Sequence, residues 1–241
     1  MQFDPRTIAR NIPGLFDAVF PQLTPGVVTY LNKSELTVPI RQLSPDDLRR
    51  STLQRAMLFE LGCTLGEALI RGAVVIDWPG CFEETPRRQR VYFDAVLPDQ
   101  LTEVDQILAE SVGGNLAGAM MEMSRKSGCG IAVRPQIPGL EWISSGYGDF
   151  SLGPTLVEVK CTAKRFAAAD YRQIAIYWLL SYTASIEGRS KEWQNFVLLN
   201  PRRGVKVSMK FDNFLSIISS GLTKIEILQT FQSLIGSRRT R

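Results

Sequence analysis

The sequence predicts an α/β fold, because helical and strand-like patterns alternate along its second half. A long helical pattern at 101–128 is followed by short strand-like pieces between 130 and 162, and then by a second helical pattern at 167–185. The chain has 241 residues and 44% hydrophobic content, which allow one large domain or two small ones with a buried core.

The first hundred residues predict mixed α+β structure. Segments 27–31 and 36–40 have strand-like composition and flank a turn at Asn32-Lys33. Ser44-Pro45-Asp46-Asp47 predicts a helix start, since serine caps helices and proline suits their first turn. We expect that helix to run from Pro45 to Leu58 or beyond. The same patterns predict strands at 73–77 and 90–97, with a loop at 78–90 between them.

The rest of the chain predicts one domain after a boundary at Pro98-Asp99. Thr102 with Asp105 three residues later can cap the long helix, and Gly128 can end it. Gly153-Pro154 predicts a tight turn. The remaining predicted elements are strands at 130–137, 140–147, 149–152 and 155–162, a helix at 167–185, strands at 195–200 and 204–211 joined by Pro201-Arg202-Arg203, a helix at 222–235 and a disordered basic tail at 237–241.

The composition restricts the available chemistry. The chain has no histidine, which excludes a Ser-His-Asp triad and histidine-bound zinc within it. Its four cysteines are far apart in sequence and are expected to be reduced structural thiols, namely Cys63, Cys81, Cys129 and Cys161. Carboxylate chemistry therefore remains, and hard oxygen ligands favour Mg²⁺ or Mn²⁺.

The charge distribution predicts a polyanionic partner. From residue 160 to the end there are 14 Lys and Arg against 5 Asp and Glu, a net +9, whereas the first 159 residues have 14 against 19, a net −5. A basic C-terminal third suits nucleic acid, although a solvated basic face would have the same composition. The sequence shows no membrane-length apolar segment and no signal-peptide core at its start, so we expect a cytoplasmic protein without a membrane partner.

The segment 149–160 groups residues that can act together. Alternate side chains of a strand share a face, so Val157 and Val159 should face the core while Glu158 and Lys160 point to the other side. Asp149 lies on the preceding strand of the hairpin, beside Glu158. The two carboxylates can hold Mg²⁺ and Lys160 can orient the attacking water. An ordinary ion pair on the strand surface is the alternative.

Two neighbouring helices could complete this site. On the preceding helix, Glu110, Gly114, Gly118 and Glu122 lie four residues apart and share one face, where the glycines would let the backbone approach a sheet. Either glutamate could then serve as a third ligand, or both could be ordinary surface residues.

On the following helix, Gln173 and Tyr177 also lie four residues apart and share a face. They could contact a nucleotide or support the metal site. The neighbouring apolar residues of that helix are expected to form core.

The pattern D-x8-E-V-K followed by Q-x3-Y resembles the PD-(D/E)XK nuclease superfamily, particularly its RecB-like branch. The resemblance covers residues 105–210 and implies a restriction-endonuclease-like αβββαβ core with Mg²⁺-dependent phosphodiester hydrolysis. It implies that Asp149 and Glu158 bind metal, that Lys160 is catalytic and that Gln173 and Tyr177 form the trailing motif. Branch members often carry a histidine on the leading helix, where this chain has Gly114-x3-Gly118. Glu110 and Glu122 are therefore rival candidates for that ligand.

The resulting prediction is a nuclease domain at 99–236 that cleaves nucleic acid, with DNA as the expected class, in phage defence, restriction, recombination or repair. Residues 1–98 could bind DNA, contact a partner subunit or mediate homo-oligomerisation. Two alternatives remain, a catalytically inactive subunit of the same fold that binds nucleic acid or protein, and a structural protein with a surface Glu158–Lys160 pair. The candidate phosphate contacts are Lys164, Arg165, Arg202 and Arg203.

Overall fold

The computed structural model describes residues 3–89 and 100–237 of the chain. The helices in these residues are α1 (Pro5–Asn11), α2 (Pro13–Val19), α3 (Pro25–Leu31), α4 (Pro45–Arg50), α5 (Arg55–Ile70), α6 (Trp78–Gln89), α7 (Glu103–Ser127), α8 (Ala168–Ile186), α9 (Phe211–Ile218) and α10 (Lys224–Ser237). The strands are β1 (Leu36–Thr37), β2 (Ile131–Val133), β3 (Gln136–Ile137), β4 (Gly146–Tyr147), β5 (Phe150–Leu152), β6 (Thr155–Val159), β7 (Asn195–Asn200) and β8 (Val205–Lys210).

A mixed six-stranded sheet forms the centre of the fold, with strand order β1-β8-β7-β6-β5-β2. Strands β6 and β7 are parallel, and the other neighbouring pairs are antiparallel. Strands β3 and β4 form a separate antiparallel pair. The predicted α/β class is confirmed at this level.

Helices cover both faces of the sheet. Successive side chains of the central strands point to opposite faces, and each face contributes to its own apolar cluster. Leu156, Phe196 and Leu198 belong to one apolar cluster together with α8. Val157 and Val197 belong to a second cluster, which contains the α7 residues Leu116, Ala119, Met120 and Met123. Glu158 therefore shares the α8 side of the sheet with Leu156, whereas Val157 faces α7.

Helix α5 packs closely against α7 at a crossing formed by glycines. A Cβ added at Gly113 would lie 2.9 Å from the Gly62 carbonyl oxygen and 3.0 Å from the Gly66 nitrogen. Only residues without a side chain allow this separation of the two backbones. The contact fixes which face of α7 is turned away from the sheet and toward α5.

Several predicted elements are confirmed. Thr102 and Asp105 form a reciprocal capping box at the start of α7, and Gly128 ends the helix at a φ of 67°. Gly153 has a φ of 55° in the turn between β5 and β6. Ser44 accepts a hydrogen bond from the Asp47 nitrogen and so caps α4. Strands β7 and β8 and helices α8 and α10 also lie where they were expected.

Other predictions were wrong in the first hundred residues. Segment 27–31 lies in helix α3, because Thr24 caps it and Pro25 occupies its first turn. Segment 73–77 is an irregular loop with a bend at 74–75, in which Val74 is 97% exposed, and most of the predicted loop at 78–90 is helix α6. The strand expected at 36–40 is reduced to the two residues of β1. Helices α1, α2 and α9 were not predicted.

The helix expected from Pro45 to Leu58 is divided into α4 and α5. Between them, the hydroxyls of Ser51 and Thr52 donate to the two carboxylate oxygens of Asp105 at 2.6 and 2.7 Å. These bonds compete with continued helix and hold the break against the start of α7.

The N-terminal part contacts the remainder extensively, since α1 packs against α8 and β1 pairs with β8. The predicted strand at 90–97, the boundary at Pro98-Asp99 and residues 238–241 of the tail lie outside the described residues, so the division at residue 98 stays a prediction. None of the helices in residues 3–89 and 100–237 combines the length and apolar character needed to cross a membrane.

Candidate active site

The β5–β6 hairpin brings the two predicted carboxylates together. Asp149 immediately precedes β5, whose Phe150 lies opposite Val157 of β6. Its Oδ2 accepts a 2.8 Å hydrogen bond from the backbone nitrogen of Val159, which places the carboxylate against the end of β6. Glu158 lies on the same stretch of β6 and is affected by the Asp149 charge, so the two carboxylates are neighbours, as the hairpin predicted.

Glu158 is a buried acid, with only 2% of its surface exposed. Its Oε1 accepts hydrogen bonds from Lys160 Nζ at 2.9 Å and from Gln173 Nε2 at 2.5 Å. Its Oε2 is buried and has no hydrogen-bond partner in the described part of the chain. Burial, followed by the nearby Asp149 charge, raises the pKa of Glu158 to about 7, although Lys160 and Arg6 act in the opposite direction.

Lys160, Gln173 and Tyr177 form a chain of hydrogen bonds from this acid into the core. Lys160 Nζ donates to Gln173 Oε1 at 2.9 Å, and Gln173 Nε2 donates to the Tyr177 hydroxyl at 2.9 Å. Since Lys160 is also largely buried, the Glu158–Lys160 contact is not the surface pair of the structural-protein alternative. Burial, with a contribution from Glu158, raises the pKa of Tyr177 well above its usual value, so its hydroxyl stays protonated.

Arg6 of α1 is a further site residue that sequence reasoning missed. Its Nη2 donates to Asp149 Oδ1 and to the Tyr147 carbonyl oxygen, each at 3.0 Å, and its Nε donates to the Tyr177 hydroxyl at 2.9 Å. The Arg6 guanidinium therefore links the Asp149 carboxylate, which lies just before β5, to Tyr177 on helix α8. No motif marks an arginine 143 residues before its partner, so the signal was absent from the sequence.

Arg6, Asp149, Glu158 and Lys160 line a cleft of about 670 Å³. Its acidic lining residues outnumber its basic ones by six to four, so their formal charges favour a cation. The acidic residues are Asp4, Glu60, Glu67, Glu84, Asp149 and Glu158, and the basic residues are Arg6, Arg10, Arg134 and Lys160.

The predicted glutamate row on α7 does not face this cleft. Glu110 is exposed, and Glu122 pairs with Lys126 at 2.5 Å in a separate cavity. A Cβ added at Gly114 or Gly118 would meet nothing within 4 Å, so neither glycine approaches a sheet. The expectation that Glu110 or Glu122 completes the site is therefore wrong. The face of α7 that carries Leu116 and Met120 packs against the sheet. The face that carries Glu110, Gly114, Gly118 and Glu122 points outward.

Two other acids of the cleft come from α5. Glu60 and Glu67 lie on α5 and line the cleft beside Asp149 and Glu158. Glu67 forms an ion pair with Arg71 at 3.5 Å. Across residues 3–89 and 100–237, however, no three acidic or thiol side chains form a group that could hold a metal ion. The described site thus offers two carboxylates close together and further acids around the cleft.

The four predicted phosphate contacts differ in their surroundings. Lys164 and Arg165 are exposed in the loop that follows β6. Arg203 forms two 3.0 Å hydrogen bonds with Glu35, so its charge is already paired. Arg202 stacks over the ring of Phe59 at 4.6 Å, and burial, with a contribution from nearby Arg55, lowers its pKa.

Two of the cysteines meet inside the cleft. The Sγ atoms of Cys63 on α5 and Cys161 after β6 are 3.7 Å apart. The hydrogen bond with Cys161 and burial raise the pKa of Cys63 well above its usual value. All four cysteines are free thiols, as predicted, although Cys63 and Cys161 are far apart in the sequence and neighbours in the fold.

The geometry alone supports the functional argument. Asp149, Glu158, Lys160, Gln173 and Tyr177 come together as predicted, Arg6 joins them, and Glu110 and Glu122 do not. No protein-family model, curated protein or solved structure matches the chain.

Proposed function

We propose that the chain is a metal-dependent enzyme that hydrolyses phosphodiester bonds of nucleic acid, with DNA as the expected substrate. The observation that carries this proposal is the Glu158 carboxylate. It is buried, one of its oxygens has no partner in the described residues, and it lies beside a second acid and a lysine. Leaving a buried carboxylate oxygen unpaired is costly, so such an atom is a candidate ligand.

A divalent cation fits this donor set. Glu158 Oε2 is unpartnered, and Asp149 presents a carboxylate whose Oδ1 is held by Arg6 and whose Oδ2 is held by the Val159 nitrogen. Oxygen ligands suit Mg²⁺ or Mn²⁺. When bound, the ion supplies Lewis acidity toward a phosphate oxygen and makes water more acidic. Glu158 and Asp149 would hold it.

Lys160 is the residue placed to act on the reacting atoms. An ammonium has three donors, and two of these are used for Glu158 and Gln173 at 2.9 Å. The third can donate to the attacking water or to a phosphate oxygen that gains charge in the transition state. Asp170 lies 4.0 Å away, so the ammonium is held among three polar groups.

Gln173 and Tyr177 position that lysine. Gln173 accepts from Lys160 and donates to both Glu158 and Tyr177, which fixes the orientation of its amide. The Tyr177 hydroxyl in turn accepts from Arg6. The network orients Lys160 and Glu158 with side chains that do not need to touch substrate.

The order of elements around the site gives independent support. Along the chain, α7, β2, β5, β6, α8 and β7 follow one another, apart from the inserted β3–β4 pair. The strands lie side by side in the order β2-β5-β6-β7. This order of elements is compatible with the αβββαβ core that the resemblance implies, and Asp149 and Glu158 lie on its central hairpin, which supports the proposal.

The test is a cleavage assay on circular DNA, linear DNA and RNA with Mg²⁺, Mn²⁺ or EDTA. The wild-type protein should cut at least one of these polymers with either cation and not with EDTA. Asp149→Asn should remove the activity, because it leaves Glu158 as the only charged ligand of the pair. Glu103→Gln removes an exposed acid from the first turn of α7 and is the matched control. Cleavage by Asp149→Asn at the wild-type rate would contradict the proposal.

A second candidate is a non-catalytic subunit of the same fold that binds nucleic acid or a protein. The ion pair between Arg6 and Asp149 favours it, because the guanidinium already neutralises one carboxylate of the pair. Calorimetric titration with Mn²⁺ separates the two functions. A catalytic site should bind Mn²⁺ and lose that binding in Asp149→Asn, whereas a non-catalytic site should bind none.

A further inference from the structure

Cys63 and Cys161 form a thiol pair that the proposed hydrolysis does not use. They are 98 residues apart in sequence, yet their Sγ atoms are separated by 3.7 Å. Both line the cleft that contains Asp149 and Glu158, so small solutes that enter the cleft can reach them. Cys63 belongs to α5, and Cys161 follows Lys160 at the end of β6.

We propose that Cys63 and Cys161 are a site of reversible oxidation, at which a peroxide joins them in a disulfide bond that ties α5 to the end of β6. Two thiols and one molecule of hydrogen peroxide give one disulfide and two molecules of water. Each sulfur loses a hydrogen, the O–O bond of the peroxide breaks and the S–S bond forms. Since a disulfide is about 2.0 Å long, the two sulfurs approach by about 1.7 Å.

The 3.7 Å separation of the two sulfurs favours oxidation at this place. Arg202 interacts electrostatically with Cys161, so a cation lies beside the pair. The other two cysteines lie elsewhere in the fold. Cys81 is buried in the cluster formed by α5, α6 and α7, and Cys129 contacts the Ser127 carbonyl oxygen.

The disulfide would act on the neighbouring lysine. Lys160 directly precedes Cys161, and its backbone nitrogen donates to the Leu199 carbonyl oxygen at 2.8 Å. Movement of Cys161 toward α5 strains the hydrogen bond between the Lys160 nitrogen and the Leu199 carbonyl oxygen. It also shifts the Lys160 side chain away from Glu158 and Gln173. Loss of cleavage on oxidation is therefore expected, and this consequence rests on the proposed function, whereas the cross-link itself does not.

Peptide mass spectrometry tests the cross-link without any assay of activity. The full chain is treated with hydrogen peroxide, alkylated under denaturing conditions and digested with trypsin without reduction. The expected product is a disulfide-linked pair of peptides covering residues 56–71 and 161–164, which disappears after treatment with dithiothreitol. Cys129→Ser should give the same linked peptides, and Cys63→Ser should give none.

The proposal is overturned if peroxide leaves Cys63 and Cys161 as available for alkylation as Cys129, or if either thiol is linked instead to another chain. Cleavage is then compared before oxidation, after oxidation and after reduction. A protein that forms the linked peptides but never cuts nucleic acid would contradict the proposed function and leave the thiol site intact. A protein that cuts nucleic acid but forms no linked peptides would contradict the thiol site and leave the proposed function intact.

Discussion

Replacing Glu158 with glutamine should stabilise the protein in alkaline solution while removing a proposed metal ligand. In the folded state the pKa of Glu158 is about 7 instead of 4.5, chiefly because the carboxylate is buried. The unfolded chain releases this proton near pH 4.5, and the folded chain keeps it until about pH 7. The free energy of unfolding therefore falls as pH rises through that window.

The size of the effect follows from the difference between the two pKa values. At about 1.4 kcal/mol per pH unit, the difference corresponds to about 3 kcal/mol. Glutamine keeps the oxygen that accepts from Lys160 and Gln173 but cannot ionise. We expect Glu158→Gln to gain about 1 kcal/mol over the wild type at pH 5 and about 3 kcal/mol at pH 8.

Urea denaturation of both proteins at the two pH values measures this gain. Added Mn²⁺ should raise the stability of the wild type at pH 8, because a ligand that binds only the folded state stabilises it, and should have much less effect on Glu158→Gln. A variant whose advantage over the wild type is the same at pH 5 and pH 8 would show that Glu158 is not the buried, high-pKa acid described above.

Other substitutions test the packing and the charge of the site. Gly113→Ala should lower the free energy of unfolding by about 1–3 kcal/mol, because its Cβ would lie 2.9 Å from the Gly62 carbonyl oxygen. Gly114→Ala, whose Cβ would lie in open space, should raise the free energy of unfolding by up to about 1 kcal/mol. If the two substitutions change the stability measured by urea denaturation equally, the faces of α7 are wrongly assigned. Arg6→Ala should enlarge the rise in Tm caused by Mn²⁺, because Asp149 loses its guanidinium partner, and an unchanged rise would refute that role for Arg6.

Local signals in the sequence predicted the site hairpin and its flanking helices. The caps at Thr102 and Gly128 depend only on neighbouring residues, so the bounds of α7 could be predicted closely. The turn at Gly153 and the alternation along β6 likewise placed Glu158 and Lys160 on one face. These are short-range constraints, which a single sequence contains.

Predictions that depended on tertiary contacts failed. Segment 27–31 is rich in β-branched residues, yet the Thr24 cap and the burial of Val28 and Leu31 stabilise a helix there. Spacing alone could not show which face of α7 meets the sheet, because Gly113, rather than the outward-facing Gly114, lies at the crossing with α5. Arg6 was missed for the same reason, since its contacts join segments far apart in sequence.

The most direct test of the central claim is the rate of DNA cleavage by Lys160→Ala at saturating Mg²⁺ or Mn²⁺. Lys126→Ala is the matched control, because Lys126 pairs with Glu122 outside the cleft. We predict that Lys160→Ala cuts about 100-fold or more slowly than the wild type, the usual effect of removing a group that acts in the transition state, and that Lys126→Ala is unaffected. Cleavage by Lys160→Ala at the wild-type rate would contradict the assignment of the site.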